Sequence, residues 1–355
     1  MHKRVVVGLV GLALVLVVAA AGLFTGRWQE QSAFEQAVAT MPAPTLRATY
    51  THWAGVRALH GGTSLDEGSS RAVVDRFIDD AYRADLVSTS ALYGSTYAMA
   101  HRYGFSPLDA TWEMFGQSRD GAVVALRLPE SADFSGIERS LRTLGYDPPQ
   151  GPGAGQLWAG SVDQVARIDG SLTPVMQNVV LFEDERLVLM SDNARYASSA
   201  ADVVRGDKGS LTDGLGDLPG LAEQPVSAVL WASDFACEAL SMATADEEDQ
   251  AAADRRLAEV GGVSPLSGLV MAQQRDRRLL VGMRFEDSGQ AEDNLRPRTE
   301  LASGEAVGQG GTFPDRFGID RARSTGPSLV LDLEPVGDAG LLGDLSQGPV
   351  LFATC

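Results

Sequence analysis

The strongest constraint on the fold is an internal repeat. Two stretches carry the same motifs in the same order: Gly-x-Ser-Pro-Leu at 104–108 and 262–266, Gln-x-Arg-Asp at 117–120 and 273–276, and an Arg followed by an apolar residue at 127–128 and 284–285. In each stretch two apolar runs flank the polar Arg-Asp segment, a pattern that predicts a β-hairpin. The repeat therefore predicts two copies of one structural unit.

The segments before the two hairpins also correspond. Leu46 to Tyr50 and Ser227 to Trp231 are strand-like runs, and each leads through Thr51 or Ser233 into a helical stretch. A Thr or Ser at that point predicts a helix N-cap, with the aromatic residue two positions later packed against the first turn. The alternative is a chance agreement, because short apolar hairpins are common.

The segments after the hairpins extend the correspondence. Helical stretches cover Asp133 to Leu144 and roughly Gly289 to Ala302, and a Gly/Pro-rich loop follows each of them. In the first copy, Val179 to Phe182 and Leu187 to Met190 are expected to form a second hairpin. The strands expected in the corresponding places of the second copy are Leu329 to Leu333 and Val350 to Phe352.

Helices are predicted between the first strand and the Ser-Pro-Leu motif of each copy. Apolar residues recur at helical spacing from Val73 to Leu86, after Ser69 or Ser70 as N-cap, and Phe235 to Val260 is expected to be helical with Gly261 as C-cap. The chain is thus predicted to be α+β, with an N-terminal transmembrane helix followed by two tandem, duplicated α+β units with mainly antiparallel sheets. The predicted divisions are an anchor at 1–27, a linker at 28–44, and units at 45–215 and 216–355, separated within the Gly/Asp/Pro-rich segment 206–225.

The first 27 residues are typical of a membrane-targeting segment. Lys3 and Arg4 precede an unbroken apolar run from Val5 to Phe24, and Arg27 follows it. A helix of that length rises about 30 Å, the thickness of the hydrocarbon core of a bilayer, and the basic start favours a cytoplasmic N-terminus. We expect residues 5–24 to cross the cell membrane once, with the bulk of the chain extracytoplasmic. The alternative is a signal peptide cleaved after the run of alanines at 19–21, which would leave a secreted protein.

The remainder of the chain is strongly acidic. The whole sequence of 355 residues has a net charge of −18; residues 1–27 contain three bases and no acid, so the rest carries 26 bases against 47 acids, a net charge of −21. Such a surface repels nucleic acid and anionic lipid headgroups, which argues against both as partners. The partner classes that remain are an unknown protein and a hydrophobic small-molecule ligand.

Both cysteines, Cys237 and Cys355, lie in the part of the chain predicted to be exported. Disulfides persist outside the cytoplasm, so we expect these two to form one, which ties the C-terminus into the second copy. In this prediction Cys355 ends a final strand at 350–354. The alternative is a pair of buried free thiols. No metal site is predicted, because the four histidines lie far from the cysteines in sequence and no Cys-x-x-Cys spacing occurs.

Motifs for catalysis and cofactor binding are missing from the sequence. It has no Gly-x-Ser-x-Gly elbow, no Walker A loop and no His-Glu-x-x-His, so no catalytic residue, cofactor-binding residue or cofactor is predicted. His52, His60 and His101 are candidates for an unsignalled acid-base site, and the acidic clusters 183–185 and 246–249 for weak cation binding. We interpret the histidines as structural or surface residues and the acidic clusters as solvated faces.

The function predicted from these observations is non-catalytic. We expect a membrane-anchored extracytoplasmic protein that acts as a binding or scaffold module in the cell envelope. Two alternatives stay open: a carrier of a lipid or other hydrophobic ligand in a cavity between helices and sheet, and a hydrolase whose site has no sequence signature.

Overall fold

The fold is built on one antiparallel sheet of eleven strands, seen in a computed structural model that describes residues 31–151, 155–337 and 340–355. The α+β class with a large antiparallel sheet is confirmed. The predicted transmembrane segment lies outside the described residues, and no helix within those ranges is both long and apolar enough to cross a membrane. The strands are β1 (Arg47–Thr51), β2 (Trp112–Gln117), β3 (Ala122–Arg127), β4 (Leu157–Ala159), β5 (Asn178–Phe182), β6 (Leu187–Ser191), β7 (Ser227–Ala232), β8 (Gly268–Gln273), β9 (Leu279–Arg284), β10 (Phe317–Thr325) and β11 (Ser328–Pro335).

Five strands have the same order in both halves of the sheet, and β4 adds a sixth at the outer edge of the first half. Across the sheet the order is β10-β11-β9-β8-β7-β1-β2-β3-β6-β5-β4. Starting from the centre, one half has the first strand, the hairpin β2–β3, then β6 and β5; the other has β7, the hairpin β8–β9, then β11 and β10. The two first strands pair with each other, Thr49 opposite Val229, so the halves share a single continuous sheet instead of forming two separate ones.

Helices cover both faces of the sheet, because the strands alternate between two buried sides. On one face a single apolar cluster, which includes Phe34, Tyr50 and Leu230, extends across both halves. On the other face each half has a cluster of its own, around Trp53 in the first and Trp231 in the second. The helices are α1 (Ala33–Ala39), α2 (Trp53–Leu59), α3 (Arg71–Arg83), α4 (Thr96–Tyr103), α5 (Phe134–Thr143), α6 (Val162–Ile168), α7 (Ala194–Val204), α8 (Thr212–Leu215), α9 (Leu218–Leu221), α10 (Phe235–Ala239), α11 (Glu247–Val260), α12 (Ser288–Leu301) and α13 (Leu341–Leu345).

Two predicted helix starts are wrong by one residue. Thr51 is still part of β1, where it pairs with Ser227 and Glu113, so the N-cap of α2 is His52. Ser233 adopts a positive φ of 52° in a turn, and α10 begins after it with Asp234 as N-cap. In both cases the backbone between strand and helix does not place the Thr or Ser side chain where it could cap the helix. The predicted helix at 235–260 is divided into α10, a short 3-10 helix and α11.

The predicted final strand is also wrong. Leu351–Ala353 form a 3-10 helix. The place expected for this segment, which corresponds to that of β6, is taken by β11 next to β9, and β10 takes the outer place expected for residues 329–333. The segment is completely buried against the second cluster, whereas β10 is a half-exposed edge strand with many polar residues. A short apolar run does not distinguish a strand from another buried segment, which explains the error.

Candidate functional site

A row of four buried polar side chains crosses the centre of the sheet, where the two halves meet. The strand registers place Glu113 of β2 opposite Thr51 of β1, Thr51 opposite Ser227 of β7, and Ser227 opposite Gln273 of β8. All four lie between the two separate apolar clusters and are at most 6% exposed. We call these residues the polar row.

A loop covers the polar row and binds three of its four members, Glu113, Thr51 and Ser227. This covering segment, residues 84–91, follows α3. Thr89 contacts Thr51 through hydroxyl oxygens 3.2 Å apart, and Ser227 donates a hydrogen bond to the carbonyl of Leu86. Buried hydroxyls are stable only when bonded, so the polar row holds the loop in one register on the sheet.

Glu113 is the most polar member of the row and is completely surrounded by protein. Its carboxylate accepts hydrogen bonds from Trp53 Nε1 at 2.8 Å, Ser90 Oγ at 2.7 Å and the backbone N–H of Ala91 at 2.7 Å. Burial raises the pKa of Glu113, and these hydrogen bonds oppose that rise. The carboxylate joins α2, β2 and the covering segment from inside the core.

At the other end of the row, the covering segment contacts the second half. Asp85, which has a positive φ of 59°, accepts hydrogen bonds from Ser88 Oγ and from the backbone N–H of Gly343 at 2.8 Å. A Cβ at Gly343 would approach Asp85 to 2.9 Å, so a glycine permits this contact. Burial raises the pKa of Asp85. Next to it, the buried Oε1 of Gln273 lacks a donor among the described residues and lines a cavity of about 10 Å³, room for one water molecule.

His52 lies near the end of β1, between two basic residues. Burial, together with the charges of Arg275 and Arg57, lowers the pKa of His52 to about 4. Arg57 donates to the carbonyl oxygens of Pro107 and Ala110, both at 2.8 Å, and so holds the Ser-Pro-Leu loop of the first half. His52 is therefore a neutral ring at pH 7.

The other candidate groups do not converge with His52. His60 is exposed at the end of α2, and His101 is exposed on α4, where it stacks on Tyr97 at 4.0 Å. Over the described ranges, no histidine pairs with a carboxylate and no cluster of potential metal ligands occurs. The acidic cluster 246–249 begins α11: Asp246 caps it by accepting from the N–H of Asp249 at 2.9 Å. Negative charge in a first helical turn stabilises the helix, which accounts for this cluster.

The structure contains the disulfide between Cys237 and Cys355, with Cα atoms 5.4 Å apart and a sequence separation of 118. The backbone N–H of Leu266 points at both sulfur atoms, 3.4 and 3.3 Å away. The disulfide therefore fastens the C-terminus to the Ser-Pro-Leu loop of the second half.

Arg298 of α12 reinforces the same junction although it is fully buried. Its guanidinium donates to the carbonyls of Phe352 at 2.7 Å, Thr354 at 3.0 Å and Ser264 at 2.7 Å, and to Asn294 Oδ1 at 3.3 Å. Burial lowers its pKa to about 9. We call the disulfide and these bonds the C-terminal clasp.

Glu113 could have been identified from the sequence, whereas Arg298 could not. Glu113 interrupts an apolar strand between Trp112 and Met114, and a charge at an inward position of a period-two pattern is a recognisable signal that the sequence analysis missed. Arg298 has no such signal, because it is one of two arginines on α12 and only the packing of the C-terminus buries it.

Comparisons with known proteins assign no family. No family model matches the chain, and no curated protein sequence matches it. Among solved structures, crystal form I of TP0453 is similar with a TM-score of 0.38 and 7% identity, over 87% of this chain and 96% of that one. Crystal form III of TP0453 has a TM-score of 0.40 and 9% identity, over 87% and 97%. Likenesses at this level support no inference about function.

Proposed function

We propose that this chain is a membrane-tethered, non-catalytic binding or scaffold module whose folded part lies outside the cytoplasm. The proposal rests on the role of the buried ionisable groups in the fold. Glu113 and Arg298 are held by hydrogen bonds that join segments of the chain to one another, and His52 is a largely buried ring whose pKa is lowered to about 4. A catalytic group has to reach a substrate, whereas these groups are occupied in stabilising the fold.

The extracytoplasmic location is supported by the disulfide. Cys237 and Cys355 are bonded, and disulfides persist mainly in oxidising compartments. The strongly acidic composition of the exported part is consistent with a protein that remains soluble in the envelope and avoids anionic headgroups. The tether itself is proposed from residues 5–24 of the sequence.

Three measurements test this proposal. N-terminal sequencing of the mature protein should find the segment 5–24 retained; a mature chain that begins near Gly22 would contradict the proposed tether.

Maleimide labelling of the unfolded, unreduced protein from cells should detect no thiol; two free thiols would contradict the oxidising compartment. Mass spectrometry of an organic extract should contain no stoichiometric lipid, since one would favour the carrier.

The non-catalytic assignment needs its own test. Hydrolysis of a panel of ester, peptide and glycoside substrates should not exceed the background of a mock purification. Activity that is lost in His52→Gln but kept in a matched Arg296→Gln variant would identify a hydrolase instead.

We also propose that units 45–215 and 216–355 arose by duplication. The matching strand order and the shared turn motifs support this, since Arg119 and Arg275 lie in the turns β2–β3 and β8–β9. A superposition of the halves should place Arg119 on Arg275 and Pro107 on Pro265. A displacement of either pair by a full turn or strand would reject the duplication.

A further inference from the structure

The two outer edges of the sheet end differently. In the first half, the last strand of the repeated set, β5, is covered on its outer side by β4, with Trp158 opposite Val179. In the second half, the corresponding strand β10 is the outermost one in the part of the chain that the structure describes. The second half thus has an open strand edge at the place where the first half carries a short additional strand.

The helix next to each edge carries an arginine at the same position. Asp133 caps α5 and Asp287 caps α12, each through a hydrogen bond to the N–H three residues later. Counted from these caps, Arg142 and Arg296 both lie nine residues into their helices. Arg142 stacks over the ring of Trp158 with its Cζ 4.8 Å from the ring centroid, and Trp158 is 2% exposed. β4 is therefore anchored by an aromatic residue beneath an arginine.

Arg296 lines an open groove between α12 and β10. Its side chain is 75% exposed and contacts Glu300 at 3.2 Å, and the floor of the groove contains the partly exposed Leu295 and Ala322. A β-bulge between Ile319 and Arg321 interrupts β10. Bulges limit edge pairing, so only the stretch 322–325 beyond it is regular enough to accept a strand, about the length of β4.

We propose that this groove binds a short extended segment of a partner protein, added to the edge of β10 with a central aromatic residue beneath Arg296. The proposal deepens the binding role proposed above and rests on it. Alternate N–H and C=O groups of an edge strand point away from the sheet and select an extended backbone, as in β-strand addition. Glu292 and Glu300 on the rim favour basic residues beside the aromatic one.

The probe is a fluorescein-labelled peptide of residues 155–160, Gly-Gln-Leu-Trp-Ala-Gly, with one Lys added at each end, titrated into the full chain in detergent. In β4 the N–H of Ala159 bonds to Asp147, away from β5, and the N–H of Gly160 bonds back to the Gln177 carbonyl. The Trp158 amide, one residue from Ala159, therefore faces the neighbouring strand. N-methylation of the Trp158 amide should abolish binding, and N-methylation of the Ala159 amide should leave it unchanged.

The protein variants form a matched pair. Arg296→Ala should weaken binding by about 3–10-fold through loss of the cation–π contact, and Arg142→Ala should leave it unchanged. Hydrogen exchange should show new protection in β10. The reverse pattern, with an effect of Arg142→Ala alone, would mean that the peptide replaces β4, and it would overturn the proposal.

Three further results would also overturn it: no saturation up to about 1 mM peptide, equal loss with both N-methylated peptides, or a stable dimer of the chain in sedimentation that blocks the edge. If binding fails while the thiols are oxidised and the anchor is retained, this inference is wrong and the extracytoplasmic assignment stands.

Discussion

The two halves share a strand order but are held together by different chemistry. The second residue of the first hairpin is Glu113 in one half and Leu269 in the other. Around Glu113 the first half builds a network of buried hydrogen bonds, and elsewhere in the same apolar cluster the hydroxyls of Tyr103 and Tyr146 lie 3.0 Å apart. The second half is apolar at that place and relies on the C-terminal clasp. Two halves with the same backbone arrangement can therefore differ in their buried groups. We expect the stability of the first half to depend on pH and that of the second half to depend on reductant.

The largest effect is expected from exchanging the matched residues. Leu269→Glu places a carboxylate in the second cluster without the donors that Glu113 has, and should cost more than about 5 kcal/mol of unfolding free energy. Glu113→Leu removes a buried carboxyl group but leaves three donors unpaired, so about 1–3 kcal/mol is expected. Urea unfolding measures both. Equal losses would mean that the hydrogen bonds around Glu113 contribute nothing specific.

Arg298→Met should have the next largest effect. It leaves the carbonyls of Phe352, Thr354 and Ser264 without their donors, and we expect a loss of about 3–4 kcal/mol in urea unfolding. Arg296→Met on the same helix is the control and should change stability by less than about 0.5 kcal/mol, because its side chain is 75% exposed. A similar loss in both variants would reject the clasp.

Removal of the disulfide should destabilise the second half selectively. The bond closes a long loop, and Cys237→Ala with Cys355→Ala is expected to cost about 2–4 kcal/mol. Hydrogen exchange should show faster opening of α12 and of residues 351–355 than of β2 and β3. Uniform acceleration across both halves would show that the sheet unfolds as a single unit.

Acid should affect the first half through His52. Its pKa is about 4 in the fold and 6.5 when unperturbed, so between these values the unfolded chain binds more protons and stability falls as the pH falls. We expect a loss of about 1–3 kcal/mol from pH 6.5 to 4 that is absent in His52→Gln.

Two variants control this pH dependence. His101→Gln, at an exposed ring, should keep the pH dependence of the wild type. Arg275→Gln should reduce it, because the charge of Arg275 lowers the pKa of His52 from the second half. An unchanged slope in His52→Gln would assign the pH dependence to another group.

The sequence predicted much of the fold because its signals were local. The hairpins around Arg119 and Arg275, the helical stretch that starts near Asp133 and the end of α11 at Gly261 depend on residues only a few positions apart. The disulfide was expected because the two cysteines lie in the part of the chain predicted to be exported and have a single intramolecular pairing. The error at 350–353 arose where a short apolar run had no local feature to separate a strand from a buried 3-10 helix.

By itself, the sequence determined the α+β class, the antiparallel hairpins and the one intramolecular pairing open to the two cysteines. Periodicity and turn residues act over short distances, and a count of two cysteines allows one pairing. The tertiary structure alone decided that β1 pairs with β7 to make one sheet, that Glu113, Thr51, Ser227 and Gln273 form a row, and that Arg298 is buried. Each of these depends on strand register or on packing between segments far apart in sequence. Desolvation and hydrogen bonding at such places are determined by the assembled core.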